Sequence, residues 1–265
     1  MKIITLLLIL LQSSVGYAQV GIGTTTPDAS AALDVESTDK GLLPPRMTEA
    51  ERDAITSPAA GLIVWCTNCG SDGEVQVFNG TTWTNLIGGT AAEGPPQIGD
   101  YRDGGVVFYV APQPTDLNGD GTLDTGLVCA IEDQSSGIQW YNGSFTTTGG
   151  DGISVGTGAD NTAKIIASQG ATQTDYAAGL AKAYTGGGYT DWFLPSKDEL
   201  QKITYNISDI ENTAISNGGN AFSNTKYWSS SETSTYKARY LDFADGSNGN
   251  PYKTQTLYVR AIRAF

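Results

Sequence analysis

Asp191-Trp192-Phe193-Leu194-Pro195-Ser196-Lys197-Asp198-Glu199-Leu200 is the stretch whose reading decides the fold. Ser196 followed three residues later by Glu199 is a capping box. The hydroxyl accepts from a free N–H of the first helical turn while the carboxylate reaches back to the Ser196 N–H. A helix therefore opens here. Upstream lie helical patterns at Asn161–Ala167 and Tyr176–Tyr184, the second stopped by Gly186-Gly187-Gly188. Strand patterns flank this helical middle, at Val106–Ala111 and Leu127–Ile131 before it and at Tyr227–Ser230, Arg239–Phe243 and Tyr258–Phe265 after it. Strands on both sides of a helical centre indicate an α+β domain rather than a parallel αβ alternation.

Toward the N-terminus the pattern changes. Gly88-Gly89-Thr90-Ala91-Ala92-Glu93-Gly94-Pro95-Pro96 reads as a linker, because Gly loosens the backbone and Pro-Pro removes donors and extends it. The expected organisation is a signal peptide over 1–18, a β-rich fibre-like module over 19–87, a linker over 88–98 and the α+β domain over 99–265. Residues 19–47 are rich in Gly, Thr, Ser and Pro with isolated apolar positions such as Ile22, Leu33, Val35, Leu42 and Leu43, so this segment cannot bury itself and should pack on another region or on copies of itself. Thr48 and Glu51 form a second capping box, Leu62–Trp65 reads as a strand, and Glu74–Phe78 with Thr82–Leu86 flank the hairpin signal Asn79-Gly80.

Composition narrows the function. The 265 residues carry 15 Lys+Arg against 28 Asp+Glu, a formal charge of -13, and no His. Such acidity disfavours nucleic-acid binding, which draws its affinity from basic residues displacing counterions. Absence of His excludes Ser-His-Asp and Cys-His catalysis and HExxH zinc chemistry. Few charges and many glycines and aromatics describe a turn-rich extracellular protein. Met1-Lys2, the apolar run Ile3–Leu11 and Val15-Gly16-Tyr17-Ala18 match a secretory signal peptide cut after Ala18, and the run is too short for a membrane span. Its removal takes away Lys2 and no acid, leaving the mature chain more acidic still. In an oxidising compartment, Cys66 and Cys69 form a local disulfide by default; redox catalysis is the alternative for this CxxC. Cys129 reads as a buried strand residue.

Five segments then become recognisable: Asp103-Gly104-Gly105-Val106-Val107-Phe108-Tyr109, Ser136-Gly137-Ile138-Gln139-Trp140, Asp191 to Leu200, Tyr227-Trp228-Ser229-Ser230-Ser231-Glu232 and Val259-Arg260-Ala261-Ile262-Arg263-Ala264-Phe265. In this order they resemble the Lcl C-terminal domain family, named for the end domain of a collagen-like bacterial adhesin. The resemblance implies a C-type-lectin-like fold related to the formylglycine-generating-enzyme fold, surface display and, in some members, trimers. The enzymatic relatives of that fold use a Cys pair to hold copper, and residues 99–265 have only Cys129. Through Gly21-Ile22-Gly23-Thr24-Thr25-Thr26-Pro27, Leu33-Asp34-Val35, Lys40 to Met47 and Pro58 to Leu62, the N-terminal part resembles fibre-type modules of exported Bacteroidetes proteins, which implies an intertwined, trimeric stalk. The expected function is a non-enzymatic adhesion protein whose partner is a glycan or surface protein; a structural fibre subunit is the alternative, and an enzyme of the related fold a more distant one.

Asp116-Leu117-Asn118-Gly119-Asp120-Gly121-Thr122-Leu123-Asp124 carries the strongest chemical pattern. Oxygen side chains at positions 1, 3, 5 and 9 (Asp116, Asn118, Asp120, Asp124), Gly at 6 and the Thr122 carbonyl at 7 match the first nine positions of an EF-hand-type Ca2+ loop. Position 12 is Leu127 rather than the bidentate Glu, so affinity should be weaker, or another carboxylate such as Glu132 or Asp133 must close the shell. An acidic hairpin tip is the alternative. Among the aromatics, Trp192 and Trp228 should fill the core, while Trp140 and Tyr141, beside Asn142-Gly143-Ser144, are the surface candidates for stacking on a sugar ring. Lys237, Arg239, Arg260 and Arg263 could form a basic patch, or could be solvated or ion-paired positions. No feature places two carboxylates at a glycosidase spacing.

Overall fold

The computed structural model describes residues 19–86, 94–170 and 175–265. The expected signal peptide and linker residues 88–93 lie outside them. The chain divides into two compact units, one ending at Gly94 and one running from Pro95 to Phe265.

In the N-terminal unit, β1 (Val20–Ile22) and β2 (Leu33–Val35) pair in parallel as a separate two-stranded sheet. Val20, Ile22, Leu33, Val35, Leu42 and Leu43 are all exposed. A second sheet has the order β3 (Arg46–Met47), β4 (Ile63–Cys66), β5 (Glu74–Phe78), β6 (Trp83–Asn85). The Thr48–Glu51 capping box opens α1 (Glu49–Asp53). At the β5–β6 turn, Asn79 Oδ1 accepts from the amides of Thr81 and Thr82, and Gly80 takes φ 100°. A disulfide joins Cys66 and Cys69, both fully buried.

The C-terminal unit is α+β. One sheet has the order β15 (Ile262–Ala264), β9 (Asp124–Cys129), β8 (Gly105–Thr115), β7 (Tyr101–Arg102). The other runs β10 (Ser135–Gln139), β14 (Thr256–Val259), β11 (Lys226–Ser234), β12 (Lys237–Asp242), β13 (Asn248–Gly249). Between β10 and β11 in sequence come α2 (Gly158–Gln169), α3 (Ala177–Ala183), α4 (Lys197–Thr204) and α5 (Ile207–Ser216). Trp140, Trp192 and Trp228 centre one core cluster, and Phe108, Leu200 and Tyr227 a second. Two-residue closure of β7 onto β8 at Asp103-Gly104, with φ 50° and 79°, follows the Asp-Gly hairpin preference.

Several elements differ from the sequence reading: the short strands β1, β2, β3, β7, β10 and β13 carry no strand pattern, and two further differences have a clear cause. The strand expected over Tyr258–Phe265 is two strands in different sheets, because the chain turns at Arg260-Ala261 to bury the Arg260 side chain. Helix α5 was not anticipated: its Ile, Thr, Ser and Asn are weak helix formers, and burial of Ile210 and Ala214 stabilises it instead.

The capping box that opened the reading reaches beyond its own helix. Glu199 Oε2 accepts from Ser196 N at 2.6 Å, while Oε1 accepts from Gly156 N at 2.8 Å and Gly158 N at 3.4 Å. One buried carboxyl thus joins the starts of α2 and α4, and a Cβ at position 158 would collide with it. Burial pushes the Glu199 carboxyl up from 4.5 to about 7, with the Ser196, Gly156 and Gly158 amides pulling it back down. Because the folded value is the higher one, its stabilising contribution is full below the unfolded value and is lost as pH rises through about 7. Denaturation should show wild type losing stability relative to Glu199→Gln from about pH 5 to 7, by up to about 1.4 kcal/mol per pH unit. A difference flat in pH would place the carboxyl at its ordinary value.

Candidate functional site

Among the sequence-chosen ligands, Asp116, Asn118, Asp120 and Thr122 form the tip between β8 and β9. Asp116 accepts from Gly119 N at 2.6 Å and Gly121 N at 3.0 Å, Asn118 Oδ1 from Asp120 N at 2.9 Å, and Asp120 from Thr122 N at 2.7 Å. Asp124 is turned inward and accepts from Leu117 N at 2.8 Å. Its carboxyl is raised first by burial and then by the neighbouring charges of Asp120 and Asp116, against the opposing Leu117 amide. Among the described residues no group of three acidic or cysteine side chains is gathered to hold a metal ion. Glu132 and Asp133 do not turn toward the loop: Glu132 accepts from Tyr184 OH at 3.4 Å, and Asp133 holds Arg260 at 2.8 Å and Tyr227 OH at 3.0 Å.

The surface placement expected for Trp140 and Tyr141 is corrected. Trp140 is fully buried, with its indole N–H donating to Ser229 O at 2.9 Å, and Tyr141 is 8% exposed. Neighbouring turn residues suggested solvent, but Trp140 lies under the ammonium of Lys253, 4.5 Å from its ring centroid. Lys253 forms a buried ion pair with Glu232 and donates to Thr146 O at 3.0 Å. The other oxygen of Glu232 accepts from Thr148 N at 2.8 Å and Gly149 N at 3.1 Å. Burial lowers the Lys253 ammonium, and Glu232 raises it again. Gln169 Oε1 accepts from Asn142 N at 2.9 Å and its Nε2 donates to Thr146 Oγ1 at 2.7 Å. The loop 142–149 is therefore held along its length. It carries Phe145, 41% exposed, which touches Tyr141 and Tyr236. Phe145 and Tyr236 were missed in sequence, where each is a single aromatic in a Ser/Thr stretch with no periodic partner.

The basic-patch alternative is also corrected. Arg260 is buried and paired with Asp133, and Arg263 pairs with Asp191 at 2.6 Å while lying over Tyr189. Lys237 lies over Tyr252. These three cations are engaged one by one inside the protein's own surface, while the Nε of Arg239 is buried with no hydrogen-bond partner among the described residues. Burial pushes the Cys129 thiol up to about 12, so it is no nucleophile at neutral pH.

A family profile described as the Lcl C-terminal domain matches residues 129–263, just over half of the chain. The chain belongs to the Lcl C-terminal domain family. A second profile, described as a phage tail like trimerisation region, matches residues 21–98. No curated protein matches the chain. Among solved structures, a fimbrial protein from Bacteroides ovatus is similar at 14% identity and a TM-score of 0.43, covering 74% of this chain and 57% of that one, so this chain spans little more than half of that protein's length. The Lcl C-terminal match contains Trp140, Phe145, Glu232 and Lys253 and excludes the 116–124 loop.

Breaking one half of the buried pair in this Lcl C-terminal domain leaves an uncompensated charge. Lys253→Met or Glu232→Leu alone should cost about 3–5 kcal/mol, and the two together clearly less than the sum. Urea denaturation of the three variants checks this; additive losses would show that the two charges do not stabilise each other.

Proposed function

We propose that this protein is a secreted or surface-displayed, non-enzymatic binding protein in which the N-terminal unit gathers three copies and a C-type-lectin-like C-terminal domain presents binding sites for a glycan or surface protein. The observation that carries the reading is the row of exposed apolar side chains at Val20, Ile22, Leu33, Val35, Leu42 and Leu43. They fall in or beside the span that matches the trimerisation profile. A two-stranded sheet has too little surface to bury them alone, and copies of the same chain would cover them. Tethered copies raise avidity by ~10² to 10⁴ without new contacts, so weak single sites suffice. The net charge of -13 disfavours nucleic acid as the partner. Light scattering after gel filtration should give three times the chain mass, and Ile22→Asp with Val35→Asp should yield monomers; a wild-type monomer at micromolar concentration would sink the assembly. A trimer that no glycan or cell-surface array retains would be a structural fibre subunit instead.

We further propose a structural Ca2+ held by Asp116, Asn118, Asp120, the Thr122 carbonyl and Asp124. The support is the spacing together with the left-handed Gly119 and Gly121, at φ 80° and 87°, which curl the tip. The ion would compete with the amide contacts of Asp116 and Asp120 and would have to draw Asp124 from its inward bond to Leu117 N, so the affinity belongs at the weak extracellular end, about 10⁻⁴ to 10⁻³ M. Millimolar calcium should raise the melting temperature relative to chelator, and Asp116→Ala with Asp120→Ala should abolish the difference. Identical melts with and without calcium would refute it.

A further inference from the structure

Three aromatic rings of the C-terminal unit meet at its surface. Phe145 stacks on Tyr141 with centroids 4.7 Å apart, and Tyr236, 55% exposed in the turn between β11 and β12, meets Phe145 edge-on at 5.2 Å and 68°. Thr147 Oγ1 and Thr235 Oγ1 lie 2.7 Å apart and close the two segments onto each other. Residues 141–150 and 233–241 are rich in Ser, Thr, Asn and Gly and contain no Asp or Glu, in a chain of net charge -13; their two cations are Lys237, held over Tyr252, and Arg239, whose Nε is buried. From beneath, the Glu232–Lys253 pair and Gln169 fix the loop that carries Phe145. The rings are thus pre-set in orientation, which removes part of the ordering cost of binding.

We propose that Phe145 and Tyr236, backed by Tyr141, form a stacking platform for a pyranose ring of a neutral glycan, with the hydroxyls of Thr147 and Thr235 at its rim. The proposal rests on the binding-protein reading above and gives it a place and a ligand class. An aromatic face meets the apolar C–H face of a sugar, and neutral hydroxyls around it match the sugar's own donors and acceptors. An anionic ligand would call for a guanidinium or ammonium directed outward, whereas Lys237 is turned over Tyr252 with its nitrogen 5.0 Å from the ring centroid and Arg239 buries its Nε. A buried apolar peptide would call for a deeper cleft than two rings at an angle.

The test is affinity electrophoresis of the full chain in gels containing a β-glucan, a mannan, a galactan or dextran sulfate. Wild type should be retarded by at least one neutral polysaccharide. Phe145→Ala and Tyr236→Ala should each weaken that retardation at least about fivefold at unchanged melting temperature. Phe145→Trp should retain it, and Tyr205→Ala, which removes an exposed ring at the end of α4, should leave it unchanged. Retardation by a neutral glycan that survives both alanine variants would overturn the platform while leaving the binding-protein reading intact. Retardation by dextran sulfate alone, or by none of the gels, would also overturn it. In the last case retention on a cell-surface array separates the two ideas, since a retained chain still binds a surface and an unretained one defeats both.

Discussion

The pair formed by Glu232 and Lys253 is the constraint on which the loop carrying Phe145 depends. Two charges with 3% and 0% of their side chains exposed cost several kcal/mol each to desolvate, and their mutual attraction alone does not reliably offset that. Here the remaining valences are filled. Thr148 and Gly149 amides bind one carboxylate oxygen, the Thr146 carbonyl takes an ammonium proton, and the Trp140 ring supplies a π face. Each of these partners belongs to the loop between β10 and α2 or to its base. The pair therefore fixes β11, the segment before β14 and this loop to one geometry, which an apolar pair of equal volume would not specify.

Glu199 does the same for two helix starts. Its two oxygens take amides from two helix starts, so α2 and α4 are positioned by one group rather than by propensity. Thr162 and Asn161 extend the polar seam: Thr162 Oγ1 donates to Gly158 O at 2.8 Å, and Asn161 Nδ2 donates to Gly152 O at 2.7 Å and Ser230 Oγ at 3.2 Å. Two hydrophobic clusters, around the three tryptophans and around Phe108 and Tyr227, supply the apolar burial of the unit. Burial drives the collapse, while satisfied polar groups select which collapse occurs.

What could be read in the sequence was local. Ser196 and Glu199, Thr48 and Glu51, Asn79 and Gly80, and the four-residue Cys66–Cys69 turn all complete their chemistry within a few residues, so their patterns carried the α+β outline. The partners that make a site are far apart: Glu232 meets Thr148 across 84 residues and Arg260 meets Asp133 across 127. No periodicity encodes such pairings. Trp140 was misplaced for that reason, since its polar neighbours describe the turn after it and say nothing of the lysine that covers it. Arg260 and Arg263 were equally ambiguous, because a basic residue in sequence has the same appearance whether its carboxylate partner is bulk water or Asp133.

Net charge is an equally coarse guide to what the surface can bind. At physiological ionic strength exposed charges are largely screened beyond about 8 Å. A distant excess of acids then slows the approach of an anion without deciding what happens on contact. Contact chemistry is set by the groups within that radius, and along residues 141–150 and 233–241 those are rings, hydroxyls, amides and the side chains of Lys237 and Arg239, with no carboxylate. Repetition changes the balance between the two scales. If three copies bring three such surfaces together, each need hold its ligand only weakly, while the acidic remainder of every copy adds to the long-range repulsion of polyanions. Neutral partners gain from the first effect and do not suffer the second.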